Sequence, residues 1–175
     1  MTKHILVATD GSDTAMRAVD LASEIAVKFE VPLTVAHAIH SGRPPEELAR
    51  MAEVEHLVET AKSRDPVDFP DVPDTMIGLF RDTRPGEDSL RLVTMVGDAL
   101  MARAADRARE LGVKTVDTRS AVDDPAEAIL SIADNVDADM IVLGHRGLGR
   151  LKRVVVGSVA QKVLSQAECT VVSVR

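Results

Sequence analysis

A chain of 175 residues with 45% hydrophobic and 28% charged side chains has the size and balance of a single globular domain, 1–175. Its net charge of −7 argues against a general nucleic-acid or anionic-membrane surface, and Phe29, Phe69 and Phe80, without Trp or Tyr, offer no platform for stacking bases. Apolar runs fall well short of the roughly 20 residues that span a bilayer, Cys169 stands alone, and Met1–Val7 lacks a signal-peptide pattern, so a cytoplasmic address without membrane insertion is expected.

In chain order, Ile5-Leu6-Val7-Ala8 reads as a short buried strand closed by the turn Thr9-Asp10-Gly11-Ser12. Ser12 is a candidate N-cap for a helix with Ala15, Val19, Ala22, Ala26 and Phe29 on one face, widened by Leu21 and Ile25. Pro32 ends that pattern, and Leu33 to Ile39 supplies a second strand. Residues 41–86 form an insertion: a helix from Pro44 to about Ser63, then a Pro- and Asp-rich loop over Asp65–Asp74. A long helical pattern from Glu87 to Leu111 stops at Gly112. Lys114–Arg119 gives a third strand whose mixed polarity suits a sheet edge.

Asp124-Pro125-Ala126-Glu127 then opens a helix: a capping carboxylate, Pro at the first position, and Glu127 to close a capping box. Ile129, Leu130, Ala133 and Val136 form its apolar stripe. Met140–Leu143 is the fourth strand, Ser158 to about Gln166 the last helix, and Thr170–Val174 the fifth strand. Alternating strands and helices point to an α/β fold, a doubly wound parallel sheet with helices on both faces. In such sheets ligands bind beyond the carboxyl ends of strands, where the strand order reverses. If the loops after strands one and four share one ligand, the order is 3-2-1-4-5.

The segment Gly144 to Ser158 carries the chemistry. It holds Gly144, Gly147, Gly149 and Gly157 and the basic Arg146, Arg150, Lys152 and Arg153 in an otherwise acidic chain. Glycines let backbone N–H groups approach an anion, and a helix N-terminus adds partial positive charge. Simpler roles compete. Asp10 suits a turn before Gly11, and Ser158 to Gln161 reads as a capping box. His37 reads as a satisfied core histidine, His145 as partly exposed and Cys169 as a small buried hydrophobe. Met51, Met95, Met101 and Met140 are scattered core fillers, and no His/Asp/Glu cluster has transition-metal spacing.

Gly144, Gly147, Gly157 and Ser158, with nine residues from Leu148 to Val156, form G-x-x-G-x9-G-[ST]. With Ile5–Ser12, His37-Ala38 and Cys169–Val174, this pattern resembles the ATP-binding branch of the universal stress protein family over nearly the whole chain outside 41–86. The resemblance implies that Ala8, Thr9 and Asp10 meet the adenosine end, with the Asp10 carboxylate accepting from ribose hydroxyls or the adenine amine. It implies that Ala38 leaves room for adenine and that Leu143 and Gly144 line base and ribose. Gly147, Gly157, Ser158, Val159 and Ala160 would hold phosphates through backbone N–H groups and the Ser158 hydroxyl. Arg146 enters on charge alone. Asp123 departs from the family's frequent Gly, and the insertion is longer than usual.

The resemblance further implies ATP, ADP or AMP as ligand, Mg²⁺ or Mn²⁺ carried on the phosphates, and a homodimer through the last strand, where Val171, Val172 and Val174 line an open edge. The P-loop pattern G-x-x-x-x-G-K-[ST] is absent, and no base stands out near the glycine loop. A stress-response regulatory switch with slow hydrolysis at most is therefore the expectation. An ATP-consuming enzyme and a nucleotide-free scaffold are the rivals.

Overall fold

The computed structural model describes residues 2–39, 87–147 and 156–175, with side chains of the long central helix described from Thr94 onward. The insertion helix and loop expected within 41–86, including Met51, lie outside the described residues, as do Arg150, Lys152 and Arg153.

Nine described elements follow in order: β1 Ile5–Ala8, α1 Asp13–Phe29, β2 Leu33–Ile39, α2 Glu87–Glu110, β3 Val116–Val122, α3 Pro125–Asn135, β4 Met140–Gly144, α4 Ser158–Gln166 and β5 Thr170–Val174. All strand pairs are parallel, in the order β3-β2-β1-β4-β5. β1 lies at the centre, with Ile5–Ala8 opposite Leu33–Ala36 of β2 and Met140–Leu143 of β4. Its four residues and the seven of β2 are all buried, as near-continuous apolar strands in a covered parallel sheet must be.

Strand alternation sends side chains to two cores. On one face Ile5, Val7, Leu33, Val35 and Val142 pack with Ala18, Val19, Ala22 and Ala26 of α1 and Met101, Ala104, Ala105 and Ala108 of α2. On the other, Leu6, Ala8, Ala36, Ile141 and Leu143 pack with Ala126, Ile129, Ile132 and Ala133 of α3 and Ala160 and Val163 of α4. The expected doubly wound sheet, order and two-sided helix cover are thus observed.

Several local expectations change. Phe29 is 50% exposed rather than part of the α1 stripe. At this helix end Glu30 turns left-handed with φ 55°, and the N–H of Val31 closes on the Ala26 carbonyl at 3.0 Å, so Val31 takes the apolar contact. β3 begins at Val116 and runs to Val122, following its register with Leu33–Ile39 rather than its own polarity. In α3, Ile132 is fully in the core, while Leu130 and Val136 are only partly buried. Asp124 caps α3 as expected, accepting from the Ala126 N–H at 3.2 Å, but its own N–H goes to Asp123 Oδ1 at 2.7 Å. Glu127 instead meets Lys162 of α4 at 2.8 Å. Among the described residues, no helix is long and apolar enough to cross a membrane.

Candidate functional site

The strand order reverses between β1 and β4, so the turns leaving these two strands open on the same crevice. The first turn is held by its own side chains and by β2. The Thr9 N–H donates to the Ala36 carbonyl at 2.9 Å, and His37 Nδ1–H donates to the Thr9 carbonyl at 2.8 Å. The Thr9 hydroxyl accepts from the Gly11 N–H at 3.2 Å, and Asp10 Oδ1 accepts from the Ser12 N–H at 3.0 Å. Gly11 adopts φ +81°, which side chains rarely tolerate. Ser12 then caps α1, accepting from the Ala15 N–H at 3.3 Å. Asp10 therefore does form the simple Asx turn, with one carboxylate oxygen.

Its other oxygen, Oδ2, faces Gly147, where any Cβ would collide with it. The two turns touch. Thr14 strengthens the junction: its hydroxyl donates to the Arg146 carbonyl at 2.6 Å, and a Cβ on Gly144 would lie 2.9 Å from that same hydroxyl oxygen. Gly144 and Gly147 thus hold positions where any side chain would drive the turns apart. Sequence reasoning missed Thr14, which stands 132 positions from its partner and lies in a helix whose pattern marks it only as a first-turn residue.

The second turn is also tied to β5 and α4. The His145 N–H and its Nδ1–H both donate to the Val174 carbonyl, at 2.6 and 3.0 Å. The His145 carbonyl accepts from the Gly157 N–H at 2.7 Å, which brings the start of α4 beside Arg146 and Gly147. The expected Ser158 capping box does not form. Gly157 is the N-cap, with φ −68° and ψ 154° and no side-chain capping bond, and Gln161 N–H donates to the Gly157 carbonyl at 2.9 Å. Ser158 is the first helical residue and its side chain is exposed at the crevice end of α4. A helix start without a side-chain cap leaves N–H donors directed outward.

The remaining candidate residues divide by exposure. Ala8, Ala38, Leu143 and Ala160 are buried, with the side chains of Ala8, Leu143 and Ala160 in the α3–α4 core. Thr9 is buried as well, and Val159 packs partly against the same core. Arg146 is half-buried, and its Nε is a buried donor without a hydrogen-bond partner among the described residues. A buried donor left so is costly unless something fills the role. His37 is the satisfied core histidine expected, 2% exposed.

Lys162 braces α4 against the start of α3, reaching Glu127 at 2.8 Å and Asp124 at 3.1 Å. Its ammonium holds the Asp124 carboxyl below the usual carboxylate range, and these two carboxylates raise Lys162. At the far end of the sheet, Cys169 is partly rather than fully buried, and that burial pushes its thiol up. No group of three or more His, Cys, Asp or Glu among the described residues is placed to hold a metal ion.

Comparison with known proteins bears on the family and the fold. The whole chain, residues 1–175, matches the model of the universal stress protein family. It is 30% identical to universal stress protein YxiE of Bacillus subtilis, covering all of both chains. It is also 31% identical to a universal stress protein of Mycobacterium tuberculosis, covering 98% of this chain and 95% of that one. A solved universal stress protein in complex with cAMP superposes with a TM-score of 0.61 at 25% identity, covering 99% of this chain and 97% of that one. UspA of Lactobacillus plantarum shares the fold at a TM-score of 0.69 and 21% identity, with 99% and 98% coverage. The chain belongs to the universal stress protein family.

Proposed function

We propose that this chain binds an adenine nucleotide, ATP in its working form, and that occupancy sets the state of a cytoplasmic stress-response regulator. The observation that carries the reading is the junction of Asp10 with Gly147 beside the uncapped start of α4. A carboxylate and a set of outward N–H donors sit at one crevice, suited to the hydroxyl-bearing and anionic ends of a nucleotide. The related protein solved with cAMP supports the same ligand class.

In this reading Asp10 accepts from the ribose or base. The main chains of Ala8, Thr9, Ala38, Leu143 and Gly144 border adenosine. Gly147, Ser158, Val159 and Ala160 present N–H groups to phosphate, while Gly157, whose N–H is taken by the His145 carbonyl, contributes its lack of a side chain. The crevice passes a simple test of fit. Gly147 lets the two turns close on the Asp10 carboxylate, and Arg146 Nε, unpartnered among the described residues, is a donor suited to an anion. Mg²⁺ or Mn²⁺ would ride on the phosphates. The regulatory role is favoured over enzymatic consumption because the chain lacks the P-loop Lys and Ser/Thr.

Thermal unfolding in the presence of AMP, ADP, ATP and cAMP, with phosphate release followed in parallel, tests the reading. At a nucleotide concentration 100-fold above Kd, about 2.7 kcal/mol of stabilisation is expected. That corresponds to a rise of about 5–10 °C for a domain of this size. No shift with any of the four contradicts nucleotide binding. Sustained turnover at ordinary enzyme rates, about 1 s⁻¹ or faster, contradicts the switch role alone.

A further inference from the structure

The interior of α2 carries a glycine, Gly97, where glycine is disfavoured relative to alanine. Its neighbour explains it. A Cβ on Gly97 would lie 2.7 Å from Cδ2 and 3.1 Å from Nε2 of His37, so the helix leaves room for that ring and no more. On its other side the ring is the donor that fixes the Thr9 carbonyl at 2.8 Å. A carbonyl only accepts, so Nδ1 carries the proton. Three residues further along α2, on the same face, Leu100 is 2% exposed and packs directly on Gly11 at its φ of +81°. One face of α2 thus bears on the Thr9–Ser12 turn at two points, one through the ring of His37 and one directly.

We infer that α2, through His37 and Leu100, positions the Asp10 turn for the nucleotide, so that nucleotide occupancy and the seating of α2 are linked. The inference rests on the nucleotide reading above. His37 is a positioning residue in it, acting through Thr9 rather than on the ligand. Linkage is reciprocal: a change that unseats α2 weakens the nucleotide, and bound nucleotide protects α2.

His37→Asn and His37→Leu separate positioning from filling space. Both side chains branch at Cγ like the imidazole, but only Asn places an N–H donor two bonds beyond Cβ, where Nδ1 stands. His37→Leu is expected to bind ATP about tenfold more weakly, with His37→Asn restoring affinity to within about threefold of the parent. Equal affinities for the two variants overturn the inference. If His37→Leu does not fold, Gly97→Ala decides, since it adds a helix-favouring methyl group remote from the ligand. Weaker ATP binding with a folded chain supports the inference, and greater stability with unchanged affinity overturns it. A parent chain that binds no nucleotide refutes the functional reading itself, a result distinct from any difference between the variants.

Discussion

At the scale of single residues, Asp10 has two jobs that an alanine substitution cannot separate. Oδ1 holds the turn through the Ser12 N–H, while Oδ2 looks across to Gly147. Asp10→Ala removes both and is expected to cost about 1–3 kcal/mol of nucleotide affinity. Asp10→Asn keeps an oxygen for the Ser12 bond and loses the charge, so calorimetry should find it stable yet weak in binding. Parent-like affinity in both variants would return Asp10 to its turn role alone. Gly157 offers a cleaner probe. Its φ of −68° and ψ of 154° suit a branched residue, and an added Cβ would meet the His145 carbonyl oxygen at an ordinary 3.4 Å. Gly157→Val should therefore fold normally and lose nucleotide, because its side chain intrudes where phosphate is held. The glycine spacing and the Asp10 turn were legible in the sequence because backbone approach and Asx turns are local chemistry. The Ser158 cap was misread by one position, since Gly157 and Ser158 can both begin a helix and only the backbone decides. Thr14 was not legible at all, because its bond to the Arg146 carbonyl depends on the fold.

At the scale of elements, α4 is braced on α3 by Lys162, Asp124 and Glu127. A carboxyl held below its ordinary range stabilises the folded state above that range, and loses the contribution as pH falls through its folded value. The Lys162 shift has the opposite sense: its contribution is present below the usual lysine value and fades only as pH rises through the raised one. Asp124→Asn retains an oxygen for the Ala126 N–H but not the charge. Its melting temperature should sit slightly below the parent's at neutral pH and converge with it in acid below about pH 4. The effect is small because both partners are partly exposed to solvent. A gap that persists unchanged into acid would show that the ion pair contributes nothing. Element identities were readable from period and punctuation: Pro125 opens α3 and Gly112 follows α2 as expected. Ends were less so. Phe29 fits the α1 stripe by spacing, yet the chain reverses at Glu30 and hands the contact to Val31. β3 takes its limits from pairing with β2, a tertiary fact absent from its own residues.

At the scale of the molecule, the order β3-β2-β1-β4-β5 followed from a functional premise, that the loops after β1 and β4 share one crevice. It leaves β5 as an edge, where homodimerisation is expected. Thr170 directs its N–H, and Val174 its carbonyl, toward the β4 side, so by alternation Ser173 directs its N–H outward. Ser173→Pro removes that outward donor while sparing the inner ladder. Sedimentation should report a dimer for the parent and a monomer for the variant; an unchanged mass would move the interface elsewhere. The most direct test of the central claim is calorimetric titration with ATP of the parent chain and of Gly157→Val. One nucleotide should bind per parent chain and none to the variant, which should still unfold cooperatively without ligand, a little below the parent because Val is a poorer N-cap than Gly. A parent that gives no binding heat at millimolar ATP, or a variant that binds as well as the parent, would contradict that claim.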